Sequence, residues 1–252
     1  IYGVEAYLAD DTPYEGPDGP IDEIVVFDIE TTGLDKREDT LIEIGAVRHK
    51  NGEAVDTFST FVDPQRPIPP HIVELTHITD GMVAGAPLLE EALRAFAEFV
   101  GDAPLCAHNA RFDVSFLRNL GEPLGLPFAN GVLDSLTLAR MLLPHNGRHG
   151  LDALCKHFGI SLMNHHRAVD DAEATAKVLL ALLALAPQSH TLCGLNGIGS
   201  TRMLPNYHVI LLATGKPGRK NIYRIVTEPH LKHFSRRPVI PKSKLAQWRD
   251  GI

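Results

Sequence analysis

Two acidic residues, Asp28 and Glu30, stand two positions apart in an otherwise apolar run, IVVFDIETTGL, at residues 24–34. A short run that is rich in β-branched residues and ends at glycine predicts a buried strand followed by a turn. Because side chains alternate between the two faces of a strand, the two acids would share one face, about 7 Å apart along the backbone. Carboxylates buried side by side repel each other and lose hydration, which favours a bound divalent cation. The alternative is an edge strand from which both acids point into solvent.

A third candidate ligand, Asp113, stands in the sequence HNARFD at residues 108–113. The pattern predicts a short strand over residues 104–109 that runs directly into a helix over residues 111–121. Active residues of open α/β sheets gather at such junctions between a strand and the next helix. The alternative is that Asp113 only complements the positive end of the helix dipole.

His166 and Asp171 stand five positions apart in HRAVDDA, at the start of a long predicted helix over residues 168–186. This spacing places the histidine on the preceding loop or first turn and the aspartate one turn deeper. Alone, they would be an exposed histidine and an acid that stabilises a helix N-terminus. Asp170 competes with Asp171 for the role of ligand, but the two lie about 100° apart around the helix, so only one would face the site.

Together, acids from separate elements could supply the oxygen ligands that hard divalent cations require; they are Asp28, Glu30, Asp113 and Asp171. Two such cations about 4 Å apart can stabilise the attacking water and the leaving oxygen of a phosphodiester displacement. His166 is the candidate general base, because an ordinary histidine pKa of about 6.5 suits proton abstraction near neutral pH.

The elements that must position these residues predict a mixed α/β sheet with helices on both faces. Strands at residues 41–50 and 54–62 follow the first one, with NGE between them as a hairpin signal. Residues 63–76 include four prolines and are predicted to be mostly irregular. The remaining order of strands and helices suits an antiparallel hairpin sheet that is continued by parallel strands.

Charge is distributed unevenly along the 252 residues. Residues 1–20 hold five acidic and no basic residues, residues 21–201 hold 24 acidic and 13 basic residues, and residues 202–252 hold 2 acidic and 11 basic residues. The net charges of −5, −11 and +9 give the total of −7. The basic end could contact a polyanion, pack against a neighbouring domain or be merely solvated.

Several classes of protein are disfavoured by the composition. No apolar run is long enough to span a bilayer and no secretory signal opens the chain, so we expect a cytoplasmic protein without membrane contact. The three cysteines have no CxxC spacing, which argues against a structural zinc site. The chain begins with Ile1 rather than Met, and we expect it to be an excerpt of a longer protein.

The sequences FDIETTGL, HNARFD and HRAVDDA resemble the three motifs of the DEDDh exonucleases, the DnaQ-like proofreading family, in order and separation. The residues that match are, motif by motif, Asp28 and Glu30, then Asp113, then His166 and Asp171. The resemblance implies an RNase H-like fold, two Mg²⁺ or Mn²⁺ ions, and hydrolysis of nucleotides from a 3′ end.

The same resemblance implies finer points about single residues. It favours Asp171 over Asp170 as the ligand, and it implies that Thr31 and Leu34 bind the terminal nucleotide of the substrate. Family members often have a glycine directly before the segment ITD, where this chain has His77.

The flanks resemble pieces of the PHP domain of PolC-type bacterial replicative DNA polymerases, in which an exonuclease is inserted. This implies a partial PHP-like flank with an acidic linker over residues 1–20, the exonuclease domain over residues 21–187, and a basic PHP-like flank over residues 188–252. The implied partners are the single-stranded 3′ end of a DNA primer and the remainder of the polymerase chain.

The sequence is therefore compatible with three functions. The first is a metal-dependent 3′→5′ DNA exonuclease that proofreads within a replicative polymerase. The second is an RNA-trimming exonuclease of the same superfamily, which the active motifs do not distinguish from the first. The third is a non-catalytic module that binds a primer strand or a subunit, which predicts loss of an acid or of the histidine, whereas all five residues are present.

Overall fold

The computed structural model describes residues 2–162, 167–186, 188–232, 234 and 237–252. Its strands are β1 (Tyr2–Ala9), β2 (Tyr14–Glu15), β3 (Glu23–Thr31), β4 (Leu41–Lys50), β5 (Glu53–Phe61), β6 (Leu105–Ala107), β7 (Val132–Asp134), β8 (Asn206–Ala213) and β9 (Val239–Pro241). Its α-helices are α1 (Pro70–Thr76), α2 (Asp80–Val83), α3 (Leu89–Val100), α4 (Ala110–Gly121), α5 (Ser135–Leu142), α6 (Leu151–Phe158), α7 (Ala168–Ala184), α8 (Lys216–Lys232) and α9 (Lys242–Gln247).

The main sheet has six strands in the order β2-β7-β6-β3-β4-β5. The strands β3, β4 and β5 are antiparallel neighbours, whereas β6 runs parallel to β3 and β7 runs parallel to β6. This confirms the predicted mixed α/β sheet. It also rules out the edge-strand alternative for the two acids, because β3 lies between β4 and β6.

Helices cover both faces of the main sheet, and β3 contributes to both apolar layers. Val25, Phe27 and Ile29 pack on the face that α3 and α4 cover. Ile24 and Val26 pack on the face that α5, α6 and α7 cover. Because side chains alternate along a strand, Asp28 and Glu30 continue this second face and lie toward α7.

The helix α1 differs from the prediction that residues 63–76 are mostly irregular. Pro70 occupies the start of the helix, where an absent N–H group leaves no hydrogen bond unmade, so prolines here begin the helix rather than prevent it. Ile72 packs into a small apolar cluster with Ile42 and Ile78. The helix ends at His77, whose φ of 59° is left-handed, a conformation that glycine adopts without strain.

A second sheet joins the two ends of the chain. It has three strands in the order β8-β1-β9, with β1 antiparallel to β8 and parallel to β9. Ile225 of α8 is buried against this sheet together with Leu211 and Ile240.

The predicted acidic linker is partly built into the main sheet. β2 lies within it and pairs with β7 in antiparallel fashion, and Tyr14 packs in the same apolar layer as Ile24 and Val26. Tyr14 is only 3% exposed, so this segment contributes to the core rather than only connecting two parts. Within the described ranges, no helix has the length and apolar character needed to cross a membrane.

Candidate active site

Three of the predicted ligands meet where β3 passes beneath the first turn of α7. Asp28, Glu30 and Asp171 each offer a carboxylate oxygen, and these oxygens all lie within 4.8 Å of one another. Asp171 is buried at 5% exposure, which places it toward the sheet, whereas Asp170 is more exposed. The arrangement agrees with the expectation that Asp171, and not Asp170, faces the site.

Gly45 is the reason that α7 can approach the sheet so closely. It lies opposite Asp28 in the pairing of β4 with β3. A Cβ atom at this position would lie 2.1 Å from the backbone N of Val169 and 2.2 Å from the backbone carbonyl carbon of Ala168. Only glycine therefore fits beneath this turn. The sequence analysis missed Gly45, although a glycine inside an apolar strand is itself a signal of close backbone approach.

Asp113 lies in the first turn of α4 and is 4% exposed. It is not part of the group of three oxygens within 4.8 Å, but its charge is the largest electrostatic contribution that raises the pKa of Asp28. The carboxyl group of Asp113 is therefore near enough for its charge to act on the acidic cluster.

Asp134, a residue that the sequence analysis did not propose, holds the start of α4. Its Oδ1 atom accepts hydrogen bonds from the backbone N–H groups of Asn109 at 3.0 Å and Ala110 at 3.2 Å. Asn109 precedes the helix with a left-handed φ of 74°. Asp134 is the last residue of β7, the strand beside β6. The end of β7 therefore fixes the turn between β6 and α4, and this turn positions Asp113.

Desolvation and mutual repulsion raise the pKa values of Asp28 and Glu30. The pKa of Asp28 is well above its ordinary value, first because the carboxyl group is desolvated and then because of the charges of Asp113 and Glu30. The pKa of Glu30 is raised to about 8, mainly by desolvation and then by the charges of Asp171 and Glu43. Both carboxyl groups are thus held in an environment that disfavours their negative charge.

The pKa of Asp113 is also well above its ordinary value, chiefly because of desolvation. Hydrogen bonds from the backbone of Asp113 itself and of Ile29 act in the opposite direction, and the charge of Asp134 adds to the increase. Buried acids that repel one another are stabilised when a cation enters their midst, and the donor set consists only of carboxylate oxygens. These residues therefore fit a hard divalent cation.

The loop after β3 carries the two predicted substrate-binding residues. Thr31 is buried and its hydroxyl group donates a hydrogen bond to the carbonyl oxygen of Gly33 at 2.5 Å. Leu34 is 83% exposed, next in the chain to this turn. The hydroxyl group of Thr32 bonds to Asp39 at 2.9 Å, so the loop that presents Leu34 is held in place. Contact of these residues with a substrate stays a prediction.

His166, the predicted general base, lies outside the described residues. Arg167, the first described residue after it, directly precedes α7. The roles of all the predicted site residues, His166 included, stay predictions. The geometry brings Asp28, Glu30 and Asp171 together, and the charge of Asp113 acts on Asp28.

The strand order and the position of the acids on the central strand define an RNase H-like α/β domain. The chain belongs to the RNase T exonuclease family, whose family model matches residues 25–179. This confirms the prediction of an exonuclease domain of the DnaQ-like kind.

The chain is also similar to part of a much longer polymerase. A DNA polymerase III of the PolC type from Clostridium perfringens is 46% identical over 263 residues, which cover 100% of this chain and 18% of the polymerase. The chain spans about a fifth of the length of the curated relatives it matches.

Solved structures of exonucleases share the fold. Exonuclease X in complex with 5′ overhanging duplex DNA is 29% identical with a TM-score of 0.54, and the match covers 67% of this chain and 94% of that one. Exonuclease I of E. coli in complex with a dA16 oligonucleotide has a TM-score of 0.58 at 21% identity, over 68% of this chain and 42% of that one. The second likeness shows the fold alone.

Proposed function

We propose that the chain is the proofreading 3′→5′ exonuclease of a PolC-type replicative DNA polymerase, and that it belongs to the DEDDh subclass. The observation that carries the proposal is the meeting of Asp28, Glu30 and Asp171 within 4.8 Å on the central strand of an exonuclease-family domain. A non-catalytic module would have no reason to keep these acids together in a largely desolvated place where they repel one another.

The cofactor we propose is a pair of Mg²⁺ or Mn²⁺ ions. Four carboxylates, those of Asp28, Glu30, Asp113 and Asp171, would hold them. When bound, such ions polarise the scissile phosphate and lower the pKa of an attacking water. Two divalent cations would balance the four negative charges, and they would thereby remove the repulsion that raises the pKa values of Asp28 and Glu30.

The protein's own residues would then orient the substrate and move one proton. Leu34 presents an exposed apolar side chain against which the 3′-terminal nucleotide would rest, and Thr31 holds the backbone of the turn before it. The imidazole of His166 would accept the proton that the attacking water loses, and this step is typically worth about 10²–10⁴-fold in rate. The product released from the 3′ end is a mononucleotide.

DNA is favoured over RNA as the substrate because the likeness to a DNA polymerase extends over the whole chain, flanks included. The partners would be the single-stranded 3′ end of a primer and the remainder of the polymerase, in the cytoplasm. An RNA-trimming exonuclease is the second candidate, because the same carboxylates would serve either sugar.

The division into parts follows the same reasoning. We propose an exonuclease domain over residues 21–187 between PHP-like flanks over residues 1–20 and 188–252. The sheet β8-β1-β9 supports it, because strands from both flanks pair with each other. This is the arrangement expected when one domain is inserted into another.

The test uses 3′-labelled single-stranded DNA and RNA of one sequence, and primed DNA with a paired or mispaired 3′ end. We expect Mg²⁺-dependent release of labelled mononucleotide from DNA, faster from the mispaired end and abolished by EDTA. Asp28→Ala should abolish release. Unchanged cleavage by this variant would contradict the assignment of the site, and faster cleavage of RNA than of DNA would favour the second candidate.

A separate variant tests the general base. His166→Ala should lower the rate about 10²–10⁴-fold and leave the affinity for Mn²⁺ unchanged in calorimetry. If the affinity for Mn²⁺ fell as well, His166 would have a role in holding the metal rather than in proton transfer alone.

A further inference from the structure

Glu43 is a buried acid beside the proposed metal site that does not belong to the cluster of ligands. It lies on β4 directly opposite Glu30 of β3, and its side chain is only 1% exposed. A carboxylate in such a place needs partners, because an unpaired buried charge is strongly destabilising. Its partners come from the start of α7.

Both carboxylate oxygens of Glu43 accept hydrogen bonds from the residues that begin this helix. Oε1 accepts from Nη2 of Arg167 at 2.8 Å and from Nε at 3.1 Å. Oε2 accepts from the backbone N–H of Ala168 at 3.0 Å. The N–H groups of a first helical turn have no partner within the helix, so Glu43 acts as a capping acid supplied by the sheet.

The guanidinium group of Arg167 is fixed from a second side by Phe61. It lies 5.1 Å from the centroid of the Phe61 ring, a distance at which a cation is attracted to an aromatic face. Phe61 is the partner of Glu43 across β4 and β5. One row across the sheet, formed by Glu30, Glu43 and Phe61, therefore supplies a metal-site acid, a capping acid and an aromatic support.

A single hydrogen bond links Arg167, at the start of α7, to the proposed ligand Asp171. The carbonyl oxygen of Arg167 accepts from the backbone N–H of Asp171 at 3.0 Å. The backbone of this turn lies in direct contact with β4 at Gly45. Because the turn is hydrogen-bonded and closely packed, a shift of Arg167 would also move the backbone of Asp171.

We propose that Glu43 is a positioning residue, which through Arg167 and the N–H of Ala168 fixes the first turn of α7 and so aims the Asp171 carboxylate at the cation. We place Glu43 outside the set of ligands, because it is not among the acids whose oxygens lie within 4.8 Å of one another and both of its own oxygens accept hydrogen bonds from Arg167 or Ala168. The proposal rests on the proposed function, since it requires Asp171 to be a ligand.

Two variants that remove opposite ends of this contact should have the same effect. Glu43→Gln leaves one acceptor oxygen where the carboxylate has two, and Arg167→Met removes the guanidinium group but keeps an apolar side chain over Phe61. Residues that support a metal ligand typically contribute about 10–100-fold in affinity or activity. In the intact chain we expect a loss of about 10-fold in Mn²⁺ affinity by calorimetry and of about 10–100-fold in kcat, with KM for single-stranded DNA little changed.

The double variant Glu43→Gln/Arg167→Met should lose no more than about the larger single loss, because both changes act through one contact. Arg167→Lys keeps the charge with fewer donors and should recover part of what Arg167→Met loses. Lys177→Gln is the matched control. It breaks an exposed ion pair with Glu173 on the same helix, at 3.7 Å, and should leave Mn²⁺ affinity unchanged.

Mn²⁺ affinity and kcat within twofold of the unaltered chain in both single variants would overturn the proposal. So would complete loss of Mn²⁺ binding in Glu43→Gln with normal binding in Arg167→Met, since that result would make Glu43 a ligand. If Glu43→Gln does not fold, Arg167→Met and Arg167→Lys decide alone, because Arg167 is 35% exposed and tolerates change. If the unaltered chain neither binds Mn²⁺ nor cleaves DNA, the proposed function fails before any variant is compared.

Discussion

Two regions of the molecule treat their acidic side chains in opposite ways. Where the segment after β1 meets α9, Nζ of Lys242 donates hydrogen bonds to Asp10 at 2.8 Å and to Glu15 at 3.3 Å. At the centre of the six-stranded sheet, no described residue forms an ion pair within 4.0 Å of Asp28 or Glu30, and the nearby Arg167 is held by another acid, Glu43.

The presence or absence of an ion-pair partner separates acids that stabilise the fold from acids that are suited to bind a ligand. An acid with its own lysine or arginine joins two segments of chain and needs nothing further. Acids such as Asp28 and Glu30, half-buried side by side with raised pKa values, oppose folding until a cation binds them. A metal-binding site is therefore expected where neighbouring acids have no basic partner within the protein. The following predictions test that distinction, from the largest effect to the smallest.

Gly45→Ala should cause the largest effect, because it displaces the helix that completes the acidic cluster. The added Cβ would lie 2.1 Å from the backbone of Val169, so the first turn of α7 must move. A misplacement of about 1 Å in a catalytic site can cost about 100-fold in rate, and overpacking of this kind costs about 1–3 kcal/mol of stability. The nuclease rate and urea unfolding measure the two effects.

Gly147→Ala is the control for this substitution. A Cβ at Gly147 would meet nothing within 4 Å, so neither the rate nor the stability should change appreciably. A Gly45→Ala variant that cleaves DNA at the normal rate would show that α7 need not lie against β4 for catalysis.

Asp28→Asn and Asp10→Asn should change stability in opposite directions in EDTA at pH 8. Removing the charge of Asp28 relieves repulsion within the acidic cluster, and sites that sacrifice stability for function commonly regain about 0.5–2 kcal/mol when relieved. Removing the charge of Asp10 weakens its bond to Lys242 and should destabilise the fold slightly. Mg²⁺ should raise the thermal midpoint of the unaltered chain and of Asp10→Asn, but not that of Asp28→Asn. Destabilisation by Asp28→Asn in EDTA would contradict the comparison.

The metal-free chain should lose stability as pH rises from about 4.5 to 8. In this window Glu30, with a pKa of about 8 in the fold, stays protonated, whereas in the unfolded chain it is ionised above its ordinary value of 4.5. The fold then binds one more proton than the unfolded chain, so stability falls with pH by up to about 1.4 kcal/mol per unit. Urea unfolding in EDTA at several pH values measures the slope.

The pH effect has its own control in Glu30→Gln, which should flatten the slope because it removes one of the titrating groups. Saturating Mg²⁺ should flatten it as well, since a bound cation favours the ionised carboxylates. A metal-free chain that becomes more stable from pH 6 to pH 8 would contradict this account of the cluster.

Lys242→Ala should have the smallest effect. Its ion pairs with Asp10 and Glu15 are partly exposed, and such pairs typically contribute about 0–1 kcal/mol. We expect a stability loss in that range that shrinks in high salt, and a nuclease rate on single-stranded DNA within twofold of normal. A large loss of rate would mean that the contact between the flanks also shapes the active site.

Local patterns predicted most of what depends on short stretches of sequence. The apolar run around Asp28, the turn after it and the start of the helix that contains Asp171 each carry their own signal, so the mixed sheet and the cluster of acids could be anticipated. The start of α1 at Pro70 differs from the predicted irregular segment because four prolines indicate irregular chain when counted together, whereas a single proline favours the first helical position.

What the sequence did not reveal depends on register between distant elements. Gly45 matters because it lies opposite Asp28, and Glu43 because it lies opposite Glu30 and beneath Arg167. These contacts can be inferred only when the pairing register of β3 with β4 and the packing of α7 on both strands are known. The pairing of β2 with β7, through Tyr14, was missed for the same reason, since a two-residue strand has too little pattern of its own.

The pairing of β1 with β8 has a consequence for how the molecule folds. Tyr2 lies opposite Ala213 and Ala9 lies opposite Asn206, so the two strands form a hairpin whose loop is the whole segment 10–205. An unstructured loop of that length would make the closure entropically costly, whereas a folded exonuclease brings its two ends together in advance. The small sheet should therefore form late, after the exonuclease has folded, and it should be the first part to open when the exonuclease is destabilised.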